Sequence, residues 1–182
     1  ATFPAAVSTV GGQNVTATTI QTNGTHQTTN SDIGLSGDVV LQANTTLTTD
    51  TAAGNVSLGG AIDATADFAQ GLAITTGTGS ITLTGPIGAT HPLDYLQLNS
   101  ANAAGFVLPS LVLNSLTVVS GGPITDSGTL TVTNLASFKT LNDGGALITI
   151  DDDGAAPLSN SFGSVTAQIL QTDDATPAAA DI

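Results

Sequence analysis

Three consecutive aspartates, Asp151-Asp152-Asp153, followed by Gly154 and preceded by the Asn142-Asp143-Gly144 turn, form the densest ionic cluster in the chain. Adjacent carboxylates repel one another, and a Ca²⁺ ion would relieve that repulsion through hard oxygen ligands. Neither an EF-hand spacing nor a Gly-Gly-x-Gly-x-Asp repeat accompanies them. A solvated acidic loop therefore accounts for Asp143, Asp151, Asp152 and Asp153 more simply than a calcium site does.

The other chemistry-bearing residues are sparse. His26 and His91 are the only histidines and have no Cys or Glu near them, so zinc would have to be assembled across distant segments. Surface or turn positions are the expectation for both. Neither lies in a nucleophile phrase such as Gly-x-Ser-x-Gly, and no catalytic or cofactor-binding residue is expected. Asp63 and Asp67 are a carboxylate pair of the kind that hydrolyses glycosides. A sugar cleft normally adds aromatic platforms and bases, whereas this chain has five Phe, one Tyr, no Trp and a single Lys or Arg. A polysaccharide-active enzyme is thus the remotest reading. Sugars would more simply be attached, at the N-x-Ser/Thr sequons of Asn14, Asn23, Asn44 and Asn55. In a chain this rich in Asn and Thr such triplets also arise by chance.

The elements that position these residues repeat. Gly54-Asn55-Val56-Ser57-Leu58-Gly59-Gly60-Ala61-Ile62 returns as Gly79-Ser80-Ile81-Thr82-Leu83-Thr84-Gly85-Pro86-Ile87, and Gly37-Asp38-Val39-Val40-Leu41 is an earlier copy. Each unit is a short strand with apolar side chains on one face and a glycine turn after it. Val56, Leu58, Ile81, Leu83, Leu96, Leu98, Leu113 and Val132 are expected to point inward. Leu96-Gln97-Leu98-Asn99-Ser100 is echoed by Leu111-Val112-Leu113-Asn114-Ser115, then by Leu130-Thr131-Val132-Thr133-Asn134, which marks a recurring Asn corner. Gly85-Pro86-Ile87 likewise returns at Gly122-Pro123-Ile124.

Composition agrees with stacked strands. All 14 acidic residues are Asp, the net charge is -13, and strong helix formers are nearly absent. Recurrence of whole phrases predicts an all-β parallel β-helix, a β-solenoid forming a single elongated domain over 31–170. Several turn spacings would also suit a β-sandwich. Residues 1–30 are polar, with scattered apolar Phe3, Val7, Val10, Val15 and Ile20, and read as strands that need a partner. Residues 171–182 read as a solvated acidic, Ala- and Pro-containing tail.

The run GDVVLQANTTLTT, then GNVSLGGAIDA, then GLAITTGTGSITLTGPIGATHPLDYLQLNSAN, resembles the degenerate repeats of large bacterial surface proteins of the filamentous-haemagglutinin and autotransporter-adhesin type. The resemblance spans roughly residues 35 to 135 and implies a right-handed parallel β-helix, export to the cell surface, and adhesion or extracellular structure. It carries no catalytic residues across, and residues 1–30 and the acidic tail match no part of that pattern.

The functional expectation is a structural subunit of an extracellular surface filament or matrix. It would form a homopolymer head to tail, with Phe3, Val7, Val10, Val15 and Ile20 added as a strand to the next molecule. A strand folding back on its own solenoid is the competing arrangement. The alternative function is an adhesin module with surface glycans as partners. The negative charge weighs against nucleic acid, and no apolar run is long enough to span a bilayer as a helix. A start at Ala1 suits a mature exported chain or an excised fragment equally.

Overall fold

The computed structural model describes residues 1–2, 6–141, 146–150 and 160–169, and these contain strands and turns but no helix. The strands are β1 (Ala6–Thr9), β2 (Gln13–Thr28), β3 (Ile33–Thr48), β4 (Val56–Leu58), β5 (Ile62–Ala64), β6 (Leu72–Thr76) and β7 (Ile81–Leu83). They continue as β8 (Leu93–Ser100), β9 (Phe106–Leu108), β10 (Leu111–Ser120), β11 (Ile124–Asp126), β12 (Leu130–Thr140), β13 (Ile148–Thr149) and β14 (Ser161–Ile169). Every pairing between them is parallel. The main sheet runs β1-β2-β3-β6-β8-β10-β12-β14, in chain order, so the chain winds into a β-solenoid of about seven turns. All-parallel stacking excludes the antiparallel β-sandwich.

Each coil has three inward faces, because the period-2 pattern restarts after every turn. On the first face Ile33 stacks on Val56 and Val56 on Ile81, while Leu35 stacks on Leu58. The second carries Ile20, Val39 and Ile62 in register and continues through bridges to Ile87 and Leu111. On the third, Leu47, Ile74, Leu98, Val118 and Phe138 form a continuous column. Burying each of these side chains contributes roughly 1.5–3 kcal/mol. Of the eight residues expected inside, Val56, Leu58, Ile81, Leu96, Leu98, Leu113 and Val132 are buried. Leu83 is half-buried instead. Its ladder through β4 stops at β7, and β9 begins a separate three-stranded sheet, so among the described residues Leu83 has a paired strand on one side only.

The glycines of the repeated phrase sit where coils touch. A Cβ on Gly60 would fall 2.5 Å from the Gly37 carbonyl carbon, one on Gly85 2.4 Å from that of Gly60, and one on Gly79 1.9 Å from the Gly54 oxygen. The Gly-x-[Val/Ile]-x-Leu phrases of residues 54–58 and 79–83 are therefore true neighbours in the stack. Three echoes are misaligned, however: Gly37-Asp38-Val39-Val40-Leu41 does not stack on the Gly54 phrase, because Val39 pairs with Ile62 and Leu41 with Ala64. Leu116, not Leu111, is the strand neighbour of Leu96, and Ile124 pairs with Phe106, whereas Ile87 bridges Ile62 and Leu111. The same short pattern recurs on all three faces, so phrase similarity alone cannot tell one face from another.

The N-terminal expectation is also corrected. Residues 13–28 are a full coil of this chain's own solenoid, hydrogen-bonded along β3, so the segment folds back and is not left over for a neighbour. Ile20 is 0% exposed over Val39, Val15 and Val7 are half-buried, and Val10 is 81% exposed. Phe3 lies outside the described residues. The stacked sheet thus begins at β1, with its first full coil from Gln13, inside the stretch that composition sets apart.

Candidate functional site

Outward-facing Asp and Asn side chains tie each coil to the next. Asp32 Oδ1 accepts the Asn55 backbone N–H at 2.8 Å and its Nδ2 at 3.1 Å, and Asn55 Oδ1 accepts the Ser80 N–H at 2.8 Å. Asp38 Oδ1 takes the Ala61 N–H at 3.0 Å, and Asn44 Oδ1 takes the Gly71 N–H at 2.9 Å. At another corner Asn134 Nδ2 donates to Asn114 Oδ1 at 2.7 Å, and Asn114 Nδ2 donates to Asp94 Oδ1 at 2.9 Å. Much of the negative charge thus accepts hydrogen bonds in the architecture. Among the sequons, Asn44 and Asn55 are exposed but committed to these ladders, Asn14 is exposed, and Asn23 is half-buried.

One corner gathers residues able to recognise a ligand. Asp63 Oδ1 accepts the N–H groups of Thr90 and His91 at 2.9 and 3.1 Å, and Asp67 Oδ1 lies 2.8 Å from His91 Nδ1. The side chains of His91 and Asp67 are 45% and 65% exposed. Beside them Phe68 is 41% exposed and holds φ at 58°, a left-handed conformation that costs a bulky residue on the order of 1–3 kcal/mol. The Phe68 N–H donates to the Pro92 carbonyl at 2.7 Å, which pins the turn. Tyr95 lies across the adjacent coil, where a Cβ on Gly71 would meet its ring at 2.2 Å. Burial, then the Asp94 carboxylate, pushes the Tyr95 hydroxyl above its ordinary pKa. The structure therefore joins Asp63 and Asp67 around His91, with the exposed Phe68 next to Asp67 in the same turn. His91 occupies the expected surface turn.

His26 does not. It is 2% exposed, at the position that Leu47 fills one coil below, with Nε2 2.7 Å from Thr22 Oγ1. The expectation of a surface histidine fails because period-2 counting within β2 turns His26 inward. Asp143, Asp151, Asp152 and Asp153 lie outside the described residues. Among the described residues no group of three or more His, Cys, Asp or Glu is placed to hold a metal ion.

No family model, curated protein or solved structure matches this chain.

Sequence reasoning missed an interior hydroxyl column. Thr28, Thr49, Thr76, Ser100, Ser120 and Thr140 end successive coils and are all buried, with Thr76, Ser100, Ser120 and Thr140 in direct register. Each hydroxyl satisfies the turn that follows or adjoins it. Thr49 Oγ1 donates to the Gly54 carbonyl at 2.7 Å, Thr76 Oγ1 to that of Gly79 at 2.7 Å, and Ser120 Oγ accepts the Gly122 N–H at 3.1 Å. The signal was present as a Thr or Ser two residues after the inward apolar residue (His26 in β2) of each third-face strand, at the strand's last residue or, for Thr49, one past it. Replacing Thr49 by the isosteric Val leaves the Gly54 carbonyl without this buried donor. That should cost about 1–3 kcal/mol in thermal or urea unfolding, whereas Thr48→Val on the outward side should be nearly neutral.

Proposed function

We propose that this protein is a non-enzymatic structural subunit of an extracellular surface filament or matrix, joined end to end. The observation that carries this reading is the last coil. β14 pairs with β12 along one edge and has no strand partner on the other among the described residues. Its Phe162, Val165, Ala167 and Ile169 are only partly buried, although they stack where the preceding coils bury their side chains. Phe162, Val165 and Ala167 border a cavity of about 330 Å³ with Phe138, Leu147, Ile148, Thr149 and Ile150. An open parallel edge beside an apolar end is a template for another strand. Because residues 13–28 belong to their own solenoid, the joint lies between ends of folded solenoids and not in a donated N-terminal strand. Its partner is a second copy of the chain. Export to the cell surface is what the repeat resemblance implies and belongs to the same reading.

A second reading, an adhesin module, draws on the Phe68 corner, where an exposed, strained aromatic adjoins the His91–Asp67 pair. Electron microscopy of the purified protein separates the two. About seven coils at roughly 4.8 Å each make a body about 34 Å long, so fibres are unmistakable against single particles. Fibres in the wild type, and single particles with an unchanged circular dichroism spectrum in Val165→Lys, are expected. Single particles of wild type at every concentration would remove the filament reading and leave the adhesin one.

A further inference from the structure

We propose that His26 is a pH-sensitive latch: in its neutral form it lets β1 close the N-terminal end of the solenoid, and when it is protonated β1 lifts and bares the edge of β2. The first coil is built differently from those beneath it. Gln13, Thr22 and His26 occupy the inward positions that Ile33, Leu41 and Leu47 hold in the second coil, so the end of the core is closed by polar groups. β1 lies over the second half of β2, with Val7 beside His26. Gln13 Nε2 ties the two strands by donating to the Gln27 carbonyl at 2.8 Å and to the Val7 carbonyl at 3.3 Å.

A positive charge on His26 keeps its contacts with Thr22 Oγ1 and the Asn23 backbone, but it meets no carboxylate among the described residues of the neighbouring strands and no water while this lid is shut. On β2 His26 is the sole titratable side chain, β1 carries none, and residues 3–5 are Phe, Pro and Ala. From β3, Thr45 and Leu47 face inward. The charged side chain of β3 is Asp38, whose Oδ1 accepts the Ala61 N–H on a different face, and the Ala1 ammonium donates to the Thr19 carbonyl at 2.6 Å. Beneath His26 runs the Leu47, Ile74, Leu98 column, which cannot solvate an ion. Water reaches the imidazolium most cheaply by displacing β1, four residues long and, among the described residues, paired on one side only, the sort of element that opens below the global unfolding free energy.

Burial lowers the His26 pKa from its ordinary 6.5, with the Asn23 backbone hydrogen bond acting the other way. A histidine held neutral by the fold contributes stability that is complete above the unfolded value and lost as pH falls below it. The latch is therefore closed above about pH 6.5 and opens progressively below. Aspartates ordinarily titrate near 3.9, beneath this window. Opening would leave the β2 ladder to β3 intact while freeing backbone groups between Gln21 and Thr28.

Amide hydrogen exchange of the full chain at pH 7.5, 6.0 and 5.0, corrected for intrinsic rates, tests this. Protection across residues 6–9 and 21–28 should fall at least tenfold from pH 7.5 to 5.0, while β8, β10 and β12 keep theirs. His26→Gln should abolish the pH dependence and His91→Gln should preserve it. Loss that persists in His26→Gln, that spreads evenly over all coils, or that fails to occur in the wild type overturns the proposal. Should His26→Gln already be open at pH 7.5, an NMR titration of the wild-type imidazole decides. A midpoint below 6.5 that coincides with loss of β1 protection supports the latch, and a midpoint at or above 6.5 refutes it.

Discussion

Leu58→Asp should abolish the cooperative unfolding transition, while Ser57→Asp, one residue away, should shift it by no more than about 0.5 kcal/mol. Leu58 is 0% exposed and lies between Leu35 and Leu83 in the cross-coil register. A carboxylate there is buried among aliphatic side chains with no cation near it, because the sole Lys, Lys139, sits on β12. Removing a leucine from such a site costs about 2–5 kcal/mol, and the stranded charge adds several more. Total stability for a domain is about 5–15 kcal/mol, so the sum is enough to unfold it. Ser57 points outward between Gly34 and Thr82, where a carboxylate keeps its water. Circular dichroism during a thermal scan measures both variants. Similar losses from the two would show that the inward face of β4 has been assigned to the wrong residues.

That contrast was legible because a strand with one buried face writes its register into alternation, and because Val56-Ser57-Leu58 and Ile81-Thr82-Leu83 are true neighbours in the stack. Where the same alternation occurs on several faces, the sequence becomes ambiguous. Leu111-Val112-Leu113-Asn114-Ser115 looks like Leu96-Gln97-Leu98-Asn99-Ser100, yet Asn114 pairs with Asp94 while Asn99 lies beside Val119. Choosing the right partner requires knowing how many residues each turn consumes, and the turns differ in length from coil to coil. The Phe68 corner was hidden for the same reason. Asp63 and Asp67 are near each other in sequence, but His91 reaches them only once the following coil is in place, and a left-handed Phe has no signature in composition. His26 and the hydroxyl column were open to period counting, but polar side chains facing inward run against the pattern that identifies a core. They become intelligible when each is seen to serve an end or a turn, where backbone groups or the terminal coil must be satisfied.

The glycine stack carries the second large effect. Gly79→Val should destabilise the protein by about 3 kcal/mol, a fall of roughly 6–12 °C in melting temperature for a chain of this size. Its Cβ would fall 1.9 Å from the Gly54 oxygen and 2.5 Å from the Gly54 carbon, both backbone atoms of the coil before. A flexible side chain could swing away from such a clash. A backbone carbonyl in this ladder cannot, since the spacing between coils is set by hydrogen bonds on either side, including Thr76 Oγ1 and Ser100 Oγ, which both donate to the Gly79 carbonyl at 2.7 Å. Moving Gly79 to make room therefore weakens the hydroxyl column as well, and the two losses fall on one turn. Gly11→Val is the matched control, because nothing lies within 4 Å of a Cβ built there, and it should leave the melting temperature unchanged. Gly60→Val, aimed at the separate stack over Gly37, should resemble Gly79→Val. If both stacked variants melted like the wild type, neighbouring coils could not approach as closely as these glycines require, and the register linking Gly54 to Gly79 would have to be redrawn.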